Sequence, residues 1–418
     1  MTEKIKTFHQ RLSEIDFFSP PIFFPLVLFF YHIFGNIFDG HRSNLFNLEF
    51  STYPLIFTAV ITYYIVWYFV NKKNVMLPSV SVSWISKFFI LGVIAVTVIG
   101  FASLSYMLLT GQIGLLDESI RRNINPKLNF LSAFFWFGYL ILITEYISRK
   151  NLSKKKSIIL LLTSSLVVLS LYVLVGYRTN LFMIVFTLVL FFHYHFKRFN
   201  IKWIVLFLTI VSISFSLFGH MRVVNEDKTV AFNNNPVEEV KLDKKTQTNI
   251  KKVNKMPEWY RVVTAEFVNG KIVLSRIIQS TKENGTLKGQ LHLAALNTVL
   301  PGENKSPRTI VTEKVNHLSN NGIPVTREGR TTTPSLLGQL FLDGGYVLLV
   351  IGVGFCSFLL SSIYNRLKAT GESNYKIAYS FLTVLLVISI HTGFLDVIFF
   401  AFFIAMISHS IIKQKNTI

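Results

Sequence analysis

Ten stretches of this chain are apolar for about as long as a membrane is thick, and that length constrains it more than any other feature. A helix rises about 1.5 Å per residue, so roughly 20 apolar residues cross a hydrocarbon core of about 30 Å. The stretches are approximately 20–38, 52–70, 86–109, 129–148, 157–175, 179–196, 203–219, 336–361, 377–391 and 394–412. Hydrophobic residues make up 51% of the chain and charged residues only 15%, too little charge for a soluble domain of 418 residues. No alternating strand pattern of the barrel kind is present. The expected fold is therefore all-α: a polytopic integral membrane protein of about 10 transmembrane helices with one large external loop. Its divisions are 1–219 (helices one to seven), 220–335 (the loop, with amphipathic helices) and 336–418 (helices eight to ten).

Lys4, Lys6 and Arg11 precede the first apolar run as in a signal peptide, but no small-residue cleavage site follows, and the run reads as an uncleaved first helix. The single cysteine, Cys356, lies inside a span, which excludes an intramolecular disulfide and a Cys-based zinc site. No internal repeat marks two inverted halves. No Walker motif is present, so ATP hydrolysis is not expected.

The placement of Lys and Arg sets the orientation. With the N-terminus cytoplasmic, the cytoplasmic segments hold 19 Lys/Arg and the short external loops 5, namely Arg42, Arg121, Arg122, Lys127 and Arg178. The remaining 18 lie in the long loop, and long translocated loops do not count. Both termini are therefore expected inside. The net charge of +20 follows from this topology and from the loop, with no nucleic-acid partner needed.

One of those external arginines interrupts "LYVLVGYRTNLFMIVF", residues 171–186. Arg178 sits at the turn between spans five and six, and two readings fit it. It is a hairpin residue whose guanidinium snorkels to the interface, or it is held there to meet an anionic headgroup. A guanidinium grips a phosphate through two parallel hydrogen bonds, which an ammonium cannot do.

The long loop carries 18 Lys/Arg against 11 Asp/Glu. Its start is polar, whereas "EWYRVVTAEFVNGKIVLSRIIQ" and "LKGQLHLAALNTVLPG" place apolar residues at helical spacings, with Arg261 and Arg276 among them. Both read as helices on or dipping into the outer interface, or as a packed external subdomain. Arg308, Arg327 and Arg330 then precede a Thr-rich lead into span eight, with Pro334 suited to a first helical turn. Guanidiniums, hydroxyls and a helix N-terminus together form a candidate phosphate site. Gly344, Gly345, Gly352 and Gly354 would let another helix approach closely.

"GYRT" at an external turn, "GHMRV" after a span and "TPSLLGQLFLDGGYVLLVIGVGF" after the long loop resemble the Wzy-type oligosaccharide repeat-unit polymerases, which make O-antigen, capsule or related polysaccharide. The helix layout resembles theirs over the whole chain, and the local motifs cover some 40 residues. Members often read Gly-Glu where this chain has Gly338-Gln339, and Asn where it has Asp343.

The resemblance implies a metal-independent glycosyltransferase-type enzyme of the bacterial plasma membrane, with no cofactor. Its substrate would be a polyprenyl-pyrophosphate-linked oligosaccharide, and its partners membrane lipids and a chain-length regulator protein. A pyrophosphate leaves at the membrane surface, so fixed guanidiniums would stabilise the developing charge; Arg178, Arg222, Arg327 and Arg330 are the candidates. The acceptor hydroxyl needs a base, for which Glu266, His292, His317 and Asp343 are available; His292 joins the arginines as a catalytic candidate, although such a histidine is more often a packing residue. Arg121, Arg122, Arg261, Arg276, Arg308, Gln339 and Asp343 are the candidate substrate-binding groups.

Three other functions compete. A multi-span lipid-dependent glycosyltransferase would use acidic residues of the first external loop, where Asp39 and Glu49 stand without a paired motif. An O-antigen ligase would differ in its acceptor alone. A flippase or other transporter would need ionisable groups within spans, whereas Glu145, Arg178, Asp343 and Asp396 lie near span ends.

Overall fold

The computed structural model describes residues 15–34, 51–80, 83–113, 124–150, 152–176, 178–204, 206, 248, 257–297, 305–316 and 332–412. Among them the chain is helical and contains no strand; a lone bridge joins Val80 to Ile412. The helices are α1 Phe23–Phe29, continued by a π-turn Phe30–Phe34, then α2 Thr52–Lys72, α3 Ser83–Leu109, α4 Pro126–Arg149, α5 Lys154–Val175 and α6 Arg178–His195. After these come α7 Glu258–Asn284, α8 Gln290–Asn297, α9 Pro307–Asn316, α10 Ser335–Thr370, α11 Ser373–Thr392 and α12 Val397–Ile411. Six of them, α2 to α5, α10 and α11, are long and apolar enough to cross a membrane, and α1, α6 and α12 are shorter apolar helices. The stretch 203–219 falls almost wholly outside the described residues.

Local chemistry explains several boundaries. Asn125 caps α4, its Oδ1 accepting the N–H of Lys127 at 3.0 Å, with Pro126 in the first turn. Gly176 ends α5 at φ +77°, the left-handed cap that lets the chain reverse before α6 starts at Arg178. Arg178 thus opens a helix, where the dipole opposes a cation.

Contacts define two ends of the bundle. At one end Ser148 meets Ser373 at 2.5 Å, Lys154 Nζ donates to the carbonyl of Phe196 at 3.2 Å, and Arg366 Nη2 donates to Ser79 at 2.6 Å. Asp16 lies at this end too, taking hydrogen bonds from Tyr364 at 2.7 Å and Tyr194 at 3.2 Å. At the opposite end Tyr31 bonds His391, Lys271 bonds Tyr53, and Arg308 bonds Asp396. This second end gathers α7, α8 and α9.

Helix α11 runs through the middle, with 17 of its 20 residues buried, and its rings and aliphatics meet α4, α6, α10 and α12. Phe137 stacks on Phe402 at 4.2 Å, and Phe381 meets Phe137 at 5.1 Å. Helices α2, α3 and α5 turn Phe57, Ile65, Phe88, Val98, Leu162 and Leu166 outward. A helix apolar on its outer face as well is one that meets lipid. These observations define a multi-pass membrane protein.

Two elements differ from the sequence-based expectation. The span expected at 336–361 is broken. Gly344 and Gly345 have non-helical torsions, with Gly345 at φ +62° and ψ −150°, a combination that only glycine adopts readily. An unbroken helix would hold Leu340 and Gly352 about 18 Å apart. Instead the Leu340 side chain packs on Gly352, where an added methyl would come within 2.7 Å of it. The segment 335–343 therefore folds back beside 346–370, and the ring of Phe341 sits 5.2 Å from that of Tyr346. The glycines read as a packing face divide their roles: Gly344 and Gly345 make the reversal, and Gly352 receives Leu340.

The second difference is α7. Of its two sequence readings, on or dipping into the interface and packed in a subdomain, the first does not describe residues 270–278, every one of which is buried. Ile277 and Leu274 pack onto Gly338 of the folded-back segment, and the Tyr31 ring lies against Gly270. The folded-back segment and the π-turn pack against this part of the helix.

Candidate active site

The folded-back segment ends at Asp343, whose side chain has no exposure, and α8 begins beside it. α8 has glycine before its first residue and so brings no capping side chain of its own. Asp343 supplies the cap from another element: Oδ1 accepts the Leu291 N–H at 3.0 Å and Oδ2 the His292 N–H at 3.2 Å. A carboxylate at a helix N-terminus also suits the dipole. The backbone reciprocates, since the Leu287 and Gly289 N–H groups donate to the carbonyls of Leu342 (2.9 Å) and Asp343 (3.3 Å), which the break in α10 leaves without helical partners.

The same Oδ2 holds the imidazole of His292 through Nδ1. On the far side of the ring, Gln339 Nε2 lies 2.9 Å from His292 Nε2. The Gln339 amide has its orientation set by the turn after α11. Its Oε1 accepts the Phe394 N–H at 2.5 Å, and its Nε2 donates to the Phe394 carbonyl at 3.1 Å. With the NH2 group facing His292, the network assigns the proton of the ring to Nδ1 and a lone pair to Nε2. Gly393, at φ +72°, brings this turn close; a methyl on it would sit 3.0 Å from Gln339 Oε1.

The result is a row Asp343, His292, Gln339, in which two members are buried and the His292 side chain is 31% exposed. A carboxylate fixes the tautomer, and the basic nitrogen sits on the accessible member. That arrangement can take a proton from a hydroxyl.

Of the other expected site residues, Arg308 stands on α9 and its Nη2 pairs with Asp396, the residue before α12, at 2.6 Å. Arg276 is buried, its Nη1 donating to Gln279 of the same helix at 2.9 Å. Arg178 is the first residue of α6, and Arg261 lies in the first half of α7. Arg121, Arg122, Arg222, Arg327, Arg330 and His317 fall outside the described residues. The structure thus brings together His292, a catalytic candidate of the sequence reading, with Gln339 and Asp343, two of its substrate-binding candidates. Sequence reasoning missed the turn Gly393–Phe394 and the pairs Lys271–Tyr53 and Tyr31–His391, for which pattern offers no signal beyond polar residues near helix ends. Among the described residues no three His, Cys, Asp or Glu side chains are grouped so as to hold a metal ion.

The fold and this site define a multi-pass membrane protein with a polar, histidine-centred site at one end. The family model described as "Putative O-antigen polymerase" matches residues 16–258 and 265–403, and the chain belongs to that family. It is an O-antigen polymerase of the Wzy type, joining lipid-linked oligosaccharide repeat units into O-antigen. No curated protein and no solved structure matches the chain.

Proposed function

We propose that the chain polymerises polyprenyl-pyrophosphate-linked repeat units at the outer face of the bacterial plasma membrane, without a metal, and that the end carrying α7, α8 and α9 is the working face. The asymmetry of 19 against 5 Lys/Arg supports this orientation. The observation that carries the chemistry is His292, partly exposed and held at Nδ1 by a buried carboxylate.

In this reading an acceptor sugar hydroxyl replaces the Gln339 amide at His292 Nε2. Its oxygen attacks the anomeric carbon of the donor chain while the proton passes to Nε2. The bond between that carbon and the pyrophosphate oxygen breaks, and the polyprenyl pyrophosphate leaves with the electron pair. Asp343 stabilises the imidazolium that forms, and the proton then passes to water. Arg178, Arg222, Arg327 and Arg330 are the guanidiniums proposed to meet the leaving group. Arg178 stands at a helix start, where the dipole gives a cation no support, which favours a ligand-binding role over a structural one.

The test is a product ladder from membranes supplied with a purified lipid-linked repeat unit. His292→Gln should lower the rate by about a hundredfold or more, the usual contribution of a positioned base. Arg178→Lys, Arg327→Lys and Arg330→Lys should each lower it by about ten- to a hundredfold, since a charged hydrogen bond contributes roughly 1.5–3 kcal/mol. EDTA should leave the ladder intact. A wild-type ladder from His292→Gln removes the base assignment, and one from all three lysine variants removes the guanidinium assignment.

A further inference from the structure

Helix α7 carries a buried cation that the chemistry above leaves unused. Lys271 is 3% exposed. Its Nζ donates to the Tyr53 hydroxyl at 2.7 Å and lies 4.1 Å from the centre of the Tyr53 ring. An ammonium has three N–H donors. Tyr53 accepts one, and among the described residues no carboxylate pairs with the charge. A charge taken out of water is costly unless an opposite charge or a full set of hydrogen bonds replaces the solvent. One phenol and its ring do that incompletely.

The setting tells what the missing partner is. Tyr53 is the second residue of α2, so the ammonium sits at the first turn of a span, the level at which membrane meets water. The residue before Lys271 is Gly270, and the Tyr31 ring lies on its backbone. Tyr31 bonds His391 Nδ1 at 2.7 Å, and its neighbour His32 is buried with neither ring nitrogen bonded. The π-turn residues Tyr31 and His32 thus stand on an element that packs against α7, His32 with neither ring nitrogen bonded. Through Tyr31 this element also reaches the catalytic row: His391 lies in the last turn of α11, and Phe394, just beyond, holds the Gln339 that touches His292.

We infer that Lys271, steadied by Tyr53, binds a phosphate anion at membrane level, and that this anion is the diphosphate of the lipid-linked substrate. This rests on the polymerase reading above. Lysine serves phosphate as a point charge, and a point charge at the interface needs no bidentate geometry. The ammonium would hold the diphosphate both before and after the glycosidic bond forms.

The test separates binding from catalysis by using probes that carry no sugar. The full chain in phosphatidylcholine nanodiscs is titrated with polyprenyl pyrophosphate, with inorganic pyrophosphate and phosphatidylglycerol as competitors. Lys271→Met should bind polyprenyl pyrophosphate at least about tenfold more weakly, a loss of about 1.4 kcal/mol, while unfolding no earlier than the wild type, because an unpaired buried charge is gone. Wild-type affinity in the folded Met variant overturns the inference, as does absence of binding by the wild type.

Should the Met variant not fold, solid-state NMR of the wild type with labelled lysine Nζ reads the contact directly. Phosphorus dephasing of a lysine signal that Tyr53→Phe shifts supports it, and no dephasing of that signal overturns it. Competition by inorganic pyrophosphate means the anion alone is recognised, and its failure means the lipid-linked form is; either supports the site. Equal competition by phosphatidylglycerol overturns the diphosphate assignment. Loss of polymerisation in His292→Gln with binding intact leaves this site standing. Retained polymerisation there with binding lost in Lys271→Met would remove the base assignment alone.

Discussion

Asp343 serves two structures with two oxygens, capping α8 and fixing His292. Two substitutions separate these roles. Asp343→Ala removes the cap and the orienting charge, so it should cost about 0.5–2 kcal/mol of stability and abolish the product ladder. Asp343→Asn keeps an oxygen for the cap but presents an amide to the ring, so the thermal midpoint should stay near wild type while the polymerisation rate falls. A normal rate in Asp343→Asn would reduce Asp343 to a helix cap. Sequence reading marked Asp343, Gln339 and His292 as candidates, and it left the base open among four residues. The choice among them needed positions 51 residues apart to meet, as His292 and Asp343 do.

At the level of elements, the decisive feature is the reversal in α10. Hydropathy reads 336–361 as one continuous span, because glycine is apolar enough not to interrupt a run. Only the torsions reveal that Gly345 turns the chain. The reversal frees the carbonyls of Leu342 and Asp343 for the turn before α8 and points Asp343 at its N-terminus. Gly345→Ala should therefore destabilise the protein by about 1–3 kcal/mol, the cost of holding a side chain in that region, and should also disrupt the site. Gly111→Ala, at φ +68° in a turn with nothing near it, is the control for left-handed strain alone. The measurement is the detergent unfolding midpoint alongside polymerisation. If Gly345→Ala and Gly111→Ala behave alike in both, the reversal has no special bearing on the site.

For the whole molecule, the contacts put Ser153 and Glu283 at opposite ends of the bundle, because α5 starts at the end where Ser148 meets Ser373, and α7 packs at the end of Tyr53 and His391. Both positions are exposed. The native Cys356 is buried and contributes little labelling. A cysteine at 283, and one at 235 in the long loop, should react with an impermeant thiol reagent in intact cells, while one at 153 should be shielded. Labelling of 153 with shielding of 283 would invert the working face.

The sequence by itself determined the membrane class, the all-helical fold and the family, because run length, charge asymmetry and short motifs are local properties that survive without a three-dimensional arrangement. It also named, among a dozen candidates, the three residues proposed here as a catalytic row. Tertiary structure alone decided that these three meet, that residues 270–278 of α7 are buried, and that Lys271 has no carboxylate partner among the described residues. The meeting of the three depends on the chain reversing at Gly345 and on the turn at Gly393 coming back to Gln339. The physical reason is that burial and hydrogen bonding between distant segments are set by packing, and an apolar run carries the same hydropathy whether it crosses the membrane or folds back on itself.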